Sequence, residues 1–206
     1  MQKQIFFITG ISTEVGKTVA SAIITEALEA DYWKPIQAGD LNHTDTHKVK
    51  ALISNPKTEF YPSAFELKTP MSPHASAEMD GIEIASAKIK LPETDNNLVV
   101  EGAGGLLVPI SQTETILDLI KPDYKVIVVS RHYLGSINHT LLTIDKLKQS
   151  GKTIFGILFT GAENPSTEQI IAKMSGVKIL GRIDEEPYFD EMVVMEYAER
   201  FREQLQ

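Results

Sequence analysis

The chain contains no cysteine, which excludes a disulfide framework, a thiol nucleophile and any zinc site built on sulfur. Basic side chains are in the minority: 20 Lys and Arg stand against 28 Asp and Glu, a formal charge of -8. That balance speaks against loose binding to nucleic acid and against attraction to an anionic membrane surface. No apolar run approaches the ~20 residues that a membrane-crossing helix needs. The N-terminus passes straight into a strand-like segment, without a basic, apolar, small-residue leader. Internal repeats and low-complexity tracts are also missing. These absences lead to the expectation of a soluble, cytoplasmic protein with neither nucleic acid nor membrane as partner.

What is present is an ordinary globular composition, 42% hydrophobic and 23% charged over 206 residues. It suffices for a large core, and one domain over 1–206 is expected. Short apolar runs at Ile5–Thr9, Tyr32–Gln37, Leu98–Glu101, Val126–Ser130, Ile154–Thr160 and Val177–Leu180 are mostly β-branched or aromatic and lack polar alternation. Such runs predict strands covered on both faces. Helical spacing of apolar residues marks Lys17–Glu29 and Ile137–Ser150. Strands alternating with helices imply an α/β fold with a parallel sheet and helices on both faces. The stretches Asn55–Pro73 and LPETDNN before Leu98 are expected to be loops. The last stretch, EMVVMEYAERFREQLQ, is amphipathic but carries four Glu against two Arg. A packing helix is expected there, since a membrane-surface anchor would be basic on its polar face.

The first chemical motif is FFITGISTEVGKT, residues 6–18. A phosphate-binding loop needs a strand before it, a helix after it and the spacing G-x-x-x-x-G-K-[ST]. Strand, helix and G-K-T are all there, but the first glycine, Gly10, lies one residue early and Ile11 stands where it is expected. Gly16 permits close approach of backbone to phosphate at a helix N-terminus. Lys17 can reach the outer phosphates and Thr18 can offer its hydroxyl to Mg²⁺. Glu14 places an acid inside a loop meant for anions.

A loop of this kind needs a second metal partner, commonly an acid at the end of another strand. NLVVEGAGG supplies Glu101, followed by Gly102, Ala103, Gly104 and Gly105 as an expected flexible turn. In YWKPIQAG a strand ends at Lys34, before a proline that interrupts regular structure. HTDTHKV places Asp45 between His43 and His47. Zinc on the histidine pair lacks a third nearby ligand, and plain surface histidines or Asp45 as a Mg²⁺ ligand are the better readings. In RHYLGSINHTLLT a helix begins after Gly135. The free amides of Gly135, Ser136, Ile137 and Asn138 could hold a carboxylate, or the segment could be a capped core helix that binds nothing.

TEVGKT, the Lys-Pro pair with a glycine soon after, the Asp of TDT, SPHASA, VEGAGG and LGSINHTLLT occur in one order from residue 9 to residue 143. In that order they resemble the dethiobiotin synthetase family, whose fold is P-loop NTPase-like and which tolerates the longer glycine spacing. The resemblance implies an ATP-dependent cyclo-ligase of biotin synthesis, with 7,8-diaminononanoate and CO₂ (bicarbonate) as substrates and ATP and Mg²⁺ as cofactors. It implies that one amine captures CO₂ as a carbamate, the γ-phosphate activates it, and the second amine closes the cyclic urea. Lys17 and Lys34 would flank carbamate and γ-phosphate as catalytic residues. Thr13, Glu14, Val15, Gly16, Lys17, Thr18 and Val19 would bind the nucleotide with Asp45, Glu101, Gly102, Ala103, Gly104 and Thr160. Thr18, Asp45 and Glu101 would hold Mg²⁺. Ala38 and the partner subunit's copy of the 135–138 segment would meet the substrate, so a homodimer with its substrate site at the interface is implied.

Three positions depart from the family pattern. Ala38 stands where many members have Ser or Thr, Thr160 where many have an adenine-reading Asn, and RIDEEP where an Ile-Pro pattern follows Gly181. A second class with a related fold is the ParA/MinD type of ATP-driven positioning switch. Its loop has a signature lysine five residues before the P-loop lysine, a position held here by Ser12. A regulatory domain that only binds nucleotide is a third reading, opposed by the retention of Lys17, Lys34, Asp45 and Glu101.

Overall fold

A computed structural model describes residues 3–205. Among these residues nine strands and six α-helices follow one another: β1 Ile5–Gly10, α1 Lys17–Leu28, β2 Asp31–Trp33, β3 Ile36–Ala38, α2 Asp45–Leu52, β4 Phe60–Tyr61, β5 Phe65–Leu67, α3 Pro73–Asp80, β6 Leu98–Gly105, β7 Lys125–Arg131, α4 Ser136–Gln149, β8 Thr153–Thr160, α5 Pro165–Ser175, β9 Ile179–Ile183 and α6 Glu191–Leu205. Seven strands form one parallel sheet in the order β4-β2-β6-β1-β7-β8-β9, and β3 and β5 pair apart from it. Helices cover both faces. Phe6 and Ile8 of β1 pack with α1 and α6, whereas Ile5 and Phe7 pack with Ile144 and Leu147 of α4 and Ile171 of α5. Two-sided burial explains why the strands show apolar runs instead of alternation.

Several boundaries differ from the sequence expectation. The run Tyr32–Gln37 is broken at Lys34–Pro35, because proline has no N–H for the ladder; β2 joins the main sheet and β3 pairs with β5. The stretch Asn55–Pro73 contains β4 and β5, and Pro73 opens α3, so it is not all loop. The last strand lies at Ile179–Ile183, two residues later than Val177–Leu180. Most consequential, β6 does not stop at Glu101 but runs to Gly105, which pairs with Gly10 after a register shift between Ile8 and Gly10. The expected flexible turn is therefore packed strand. A Cβ on Gly102 would lie 3.2 Å from the Ile8 carbonyl oxygen and from the rings and methyls of Phe7 and Ile116.

The C-terminal segment is a packing helix: Val194, Tyr197, Ala198, Phe201 and Leu205 are buried in the layer that contains α1. Among the described residues no helix is long and apolar enough to cross a membrane.

α1 and α2 both begin at the carboxyl edge of the sheet, and their far ends are tied by one side chain. Glu26, in the last turns of α1, accepts from the Ser54 backbone N–H (3.0 Å) and hydroxyl (2.8 Å) and from the Asn55 N–H (3.1 Å) and side-chain amide (2.9 Å), just beyond α2. Burial alone would raise the Glu26 pKa, but these donors outweigh it and hold the carboxyl below its ordinary value of 4.5. A depressed folded-state pKa contributes stability above the unfolded value and loses it as pH falls. Glu26→Gln is expected to cost about 1.5–3 kcal/mol in urea unfolding at pH 7. The gap to the wild type should close as the pH drops below 4.5.

Candidate active site

β1 delivers the chain to the carboxyl edge of the sheet, where ligands bind in open α/β folds. The loop from Ile11 to Gly16 then turns back into α1. The early glycine has a steric reason: a Cβ on Gly10 would lie 2.6 Å from Val15 Cγ2 and 2.8 Å from the Ser12 carbonyl oxygen. Gly10 thus lets a loop one residue longer fold over its own strand. Glu14 sits at the exposed crest in the left-handed region, φ +57°. Lys17 reaches back under the loop and donates to the Ser12 carbonyl at 3.0 Å. Its burial pushes the ammonium pKa down to about 8, with nearby Lys34 adding to the effect and Glu101 and Asp45 opposing it.

Neighbouring strands bring the other charges to this point. Trp33 pairs with Val100 in parallel register, so Lys34 and Glu101, each one residue further on, emerge side by side on the α1 face. Asp45 opens α2, which begins there because the Thr44 hydroxyl and the His47 side chain close a capping box. That role occupies His47 Nδ1, 3.1 Å from the Thr44 N–H.

The result is a buried ion cluster. Lys34, only 4% exposed, donates to Asp45 and, at 2.9 Å, to Glu101 Oε1. The same Glu101 oxygen accepts from the Thr18 hydroxyl at 3.0 Å, and Glu101 Oε2 accepts from the Tyr32 hydroxyl at 2.9 Å. Lys48 bonds the outer oxygen of Asp45 at 3.2 Å. Burial works against the Lys34 charge, yet the Glu101 and Asp45 carboxylates outweigh it and hold the ammonium above its ordinary value. Burial would likewise raise Asp45, but Lys34 and Lys48 keep it below the usual carboxylate range. Tyr32 is pushed well above a normal phenol by burial, reinforced by Glu101 and Asp45, so it acts as a donor throughout the working pH range.

A cavity of about 770 Å³ lies over this cluster. Thr13, Glu14, Gly16, Lys17, Thr18, Val19, Lys34, Ala38, Asp45, Glu101, Ala103 and Gly104 line it. Of the other expected nucleotide residues, Gly102 is packed beneath it. Val15 and Thr160 border an adjoining cavity of about 400 Å³, which continues from Gly16 to Asp184, Glu185 and Glu186. The Thr160 hydroxyl donates to the Val15 carbonyl at 2.9 Å and so supports the loop from the wall of this cavity. Gly135, Ser136, Ile137 and Asn138 line neither cavity. They form the first turn of α4 beside the fully exposed Leu134. Sequence reading missed Lys48 and, at the end of β7, Arg131, which line the cavity, and Tyr32, which lies behind it on Glu101. Tyr32 had a legible signal, since it lies two residues before Lys34 on one strand and so shares its face. Lys48 lies one helical turn after Asp45.

The anion-ready loop, the cationic pair Lys17 and Lys34 and the carboxylate–hydroxyl set define a P-loop NTPase-like protein. The solved structure of the septum site-determining protein MinD complexed with Mg-ADP from Pyrococcus horikoshii has this fold: TM-score 0.60 at 13% identity, covering 100% of this chain and 94% of that one. At that identity the likeness is one of fold alone.

A family model described as "AAA domain" matches residues 4–193. The ATP-dependent dethiobiotin synthetase BioD of Christiangramia forsetii is 62% identical over 200 residues, 97% of each chain. The enzyme of the same name from Cytophaga hutchinsonii is 48% identical over 195 residues, 94% of each. The chain belongs to the dethiobiotin synthetase family.

The depressed Lys17 pKa makes a prediction for nucleotide binding. At pH 8 roughly half of the Lys17 side chains are neutral before ATP arrives, and the phosphates should restore the charge. Calorimetric titration with ATP in buffers of different ionisation enthalpy should therefore report uptake of about half a proton at pH 8. Lys17→Arg should abolish it. Zero uptake by the wild type would show that Lys17 is already charged.

Proposed function

We infer that this chain is an ATP-dependent cyclo-ligase that closes the ureido ring of dethiobiotin from 7,8-diaminononanoate and CO₂. The observation that carries this reading beyond generic ATP hydrolysis is Lys34. Lys17 is in place as the phosphate-binding lysine of the loop; a second lysine, brought in from outside the loop and buried between two carboxylates, suits a reaction in which two anions must meet.

One amine of the substrate adds to CO₂, forming a C–N bond and releasing a proton to solvent. A carbamate oxygen then attacks the γ-phosphorus, and ADP leaves. The second amine attacks the carbonyl carbon of this mixed anhydride, phosphate leaves with the C–O bonding pair, and the amine's surplus proton passes to the departing phosphate or solvent. Lys17 and Lys34 offset repulsion between carbamate and γ-phosphate at the second step, an electrostatic role that preorganised charges fill well in a site shielded from water.

Mg²⁺ fits the residues present. Thr18, Glu101 and Asp45 offer a hydroxyl and two carboxylates, hard oxygen donors around one buried point, and a Mg²⁺–nucleotide needs few protein ligands. Bound there, the ion would draw charge from the phosphate oxygens. Lys34 now occupies both carboxylates, so it must release at least one before that oxygen can ligate a metal. Its freed ammonium then faces the cavity, where the carbamate forms. The segment from Gly135 to Asn138 is suited, as a helix N-terminus with free amides, to the substrate's carboxylate. Its distance from the Lys34 cavity supports its supply by the second subunit of a homodimer, with the exposed Leu134, Ile137 and Leu142 as the apolar part of the contact. One domain and a cytoplasmic location complete the reading.

Incubation with MgATP, bicarbonate and 7,8-diaminononanoate should yield dethiobiotin by mass spectrometry; its absence, with ATP consumed regardless of diamine, would overturn the assignment. Lys34→Met should lower turnover by about 10²–10³-fold and leave MgATP affinity within a few-fold. Collapse of nucleotide affinity would instead make Lys34 a phosphate-binding residue.

A further inference from the structure

The two oxygens of Glu101 have different surroundings. Oε1 is turned to the cavity, where Thr18 and Lys34 donate to it at 3.0 and 2.9 Å. Oε2 is turned into the protein, where the Tyr32 hydroxyl donates to it at 2.9 Å. Tyr32 is fully buried, Glu101 is 1% exposed, and the phenol donates to no other group among the described residues. Its ring is fixed in the layer under α1, with Phe60 against it at 5.9 Å between centroids. The carboxylate is thereby clamped at its back oxygen and open only at its front one.

We propose that Tyr32 is a positioning residue that restricts Glu101 to one-oxygen coordination and so makes the site select Mg²⁺ over Ca²⁺. The proposal rests on Glu101 being a metal ligand, as inferred above. Mg²⁺ demands near-octahedral geometry built from single oxygens, whereas Ca²⁺ takes six to eight ligands and readily uses both oxygens of a carboxylate. Two-oxygen binding at Glu101 would require Oε2 to swing forward. That movement breaks the Tyr32 bond and leaves a buried phenol without a partner, a penalty on the order of tenfold in affinity. The clamp falls on the calcium complex and spares the magnesium one. Tyr32→Phe removes one oxygen atom, keeps the ring and frees Oε2.

The test is binding, not turnover. A non-hydrolysable ATP analogue is titrated calorimetrically in Mg²⁺, in Ca²⁺ and in a chelator. The wild type should bind more tightly in Mg²⁺ than in Ca²⁺. Tyr32→Phe should match the wild type in chelator while its Mg²⁺-to-Ca²⁺ preference falls by about tenfold. A wild type with equal affinities in the two metals overturns the proposal without recourse to any variant, and so does a Tyr32→Phe protein that keeps the full preference. Glu101→Gln separates the two layers of inference. If it retains the wild-type gain of Mg²⁺ over chelator, the metal role of Glu101 itself fails. If it loses that gain while Tyr32→Phe keeps the wild-type preference, the metal role stands and the Tyr32 clamp falls.

Discussion

One ammonium between two carboxylates organises this site. Lys34 directly follows β2, Glu101 lies within β6 and Asp45 opens α2, so a single buried cation ties two neighbouring strands to the helix that follows. Removing charges from water is costly, and such a cluster is tolerated only when its remaining atoms find partners. Here they do: Tyr32 and Lys48 take the carboxylate oxygens that Lys34 leaves, and Thr18 shares the Glu101 oxygen with it. Burial beside this cluster lowers the affinity of Lys17 for its proton, with Lys34 adding to the effect. The cluster thus joins ammonium groups, carboxylates and hydroxyls at one buried point, the donor set that the proposed metal-bound triphosphate and carbamate call for.

The fold serves this cluster by register. Parallel pairing of β2 with β6 sets Lys34 beside Glu101, and pairing of Ile8 with Glu101 sets both beside the strand that feeds the loop. α1 carries Lys17 and Thr18 and α2 carries Asp45. Glu26 joins the two helices at their opposite ends, a helix-length away from the chemistry. The tight Gly10 and Gly102 positions let the loop and β6 pack against β1 without a side chain between them. The rigid edge of the sheet thus supports a cavity whose walls come from the loop, α2 and the segment after β5.

Much of this was legible in the residues. Gly-Lys-Thr after an apolar strand, the Lys-Pro pair and the Glu of VEGAGG lie at the site as expected, because each motif depends on a local strand-to-loop transition that composition records. The acidic C-terminal helix packs where its apolar spacing implied. What could not be read was non-local. Nothing in GAGG states that Gly105 pairs with Gly10, and that non-local pairing makes packed strand of a segment whose composition reads as a flexible turn. Nor does a sequence display that Lys34 is shared by both proposed metal ligands, or that Oε2 of Glu101 is held by a tyrosine on the next strand. The Thr160 hydroxyl, expected at the nucleotide, supports the Val15 carbonyl because β8 ends under the loop.

The proposed exchange of partners at Lys34 is tested most directly by a crystal structure with Mg²⁺ and a non-hydrolysable ATP analogue. Lys34 Nζ should have left at least one of Glu101 and Asp45 and turned to the cavity beside the γ-phosphate, with Mg²⁺ on the oxygens it released. A Lys34 still bonded to both carboxylates, with the metal held elsewhere, would contradict the exchange.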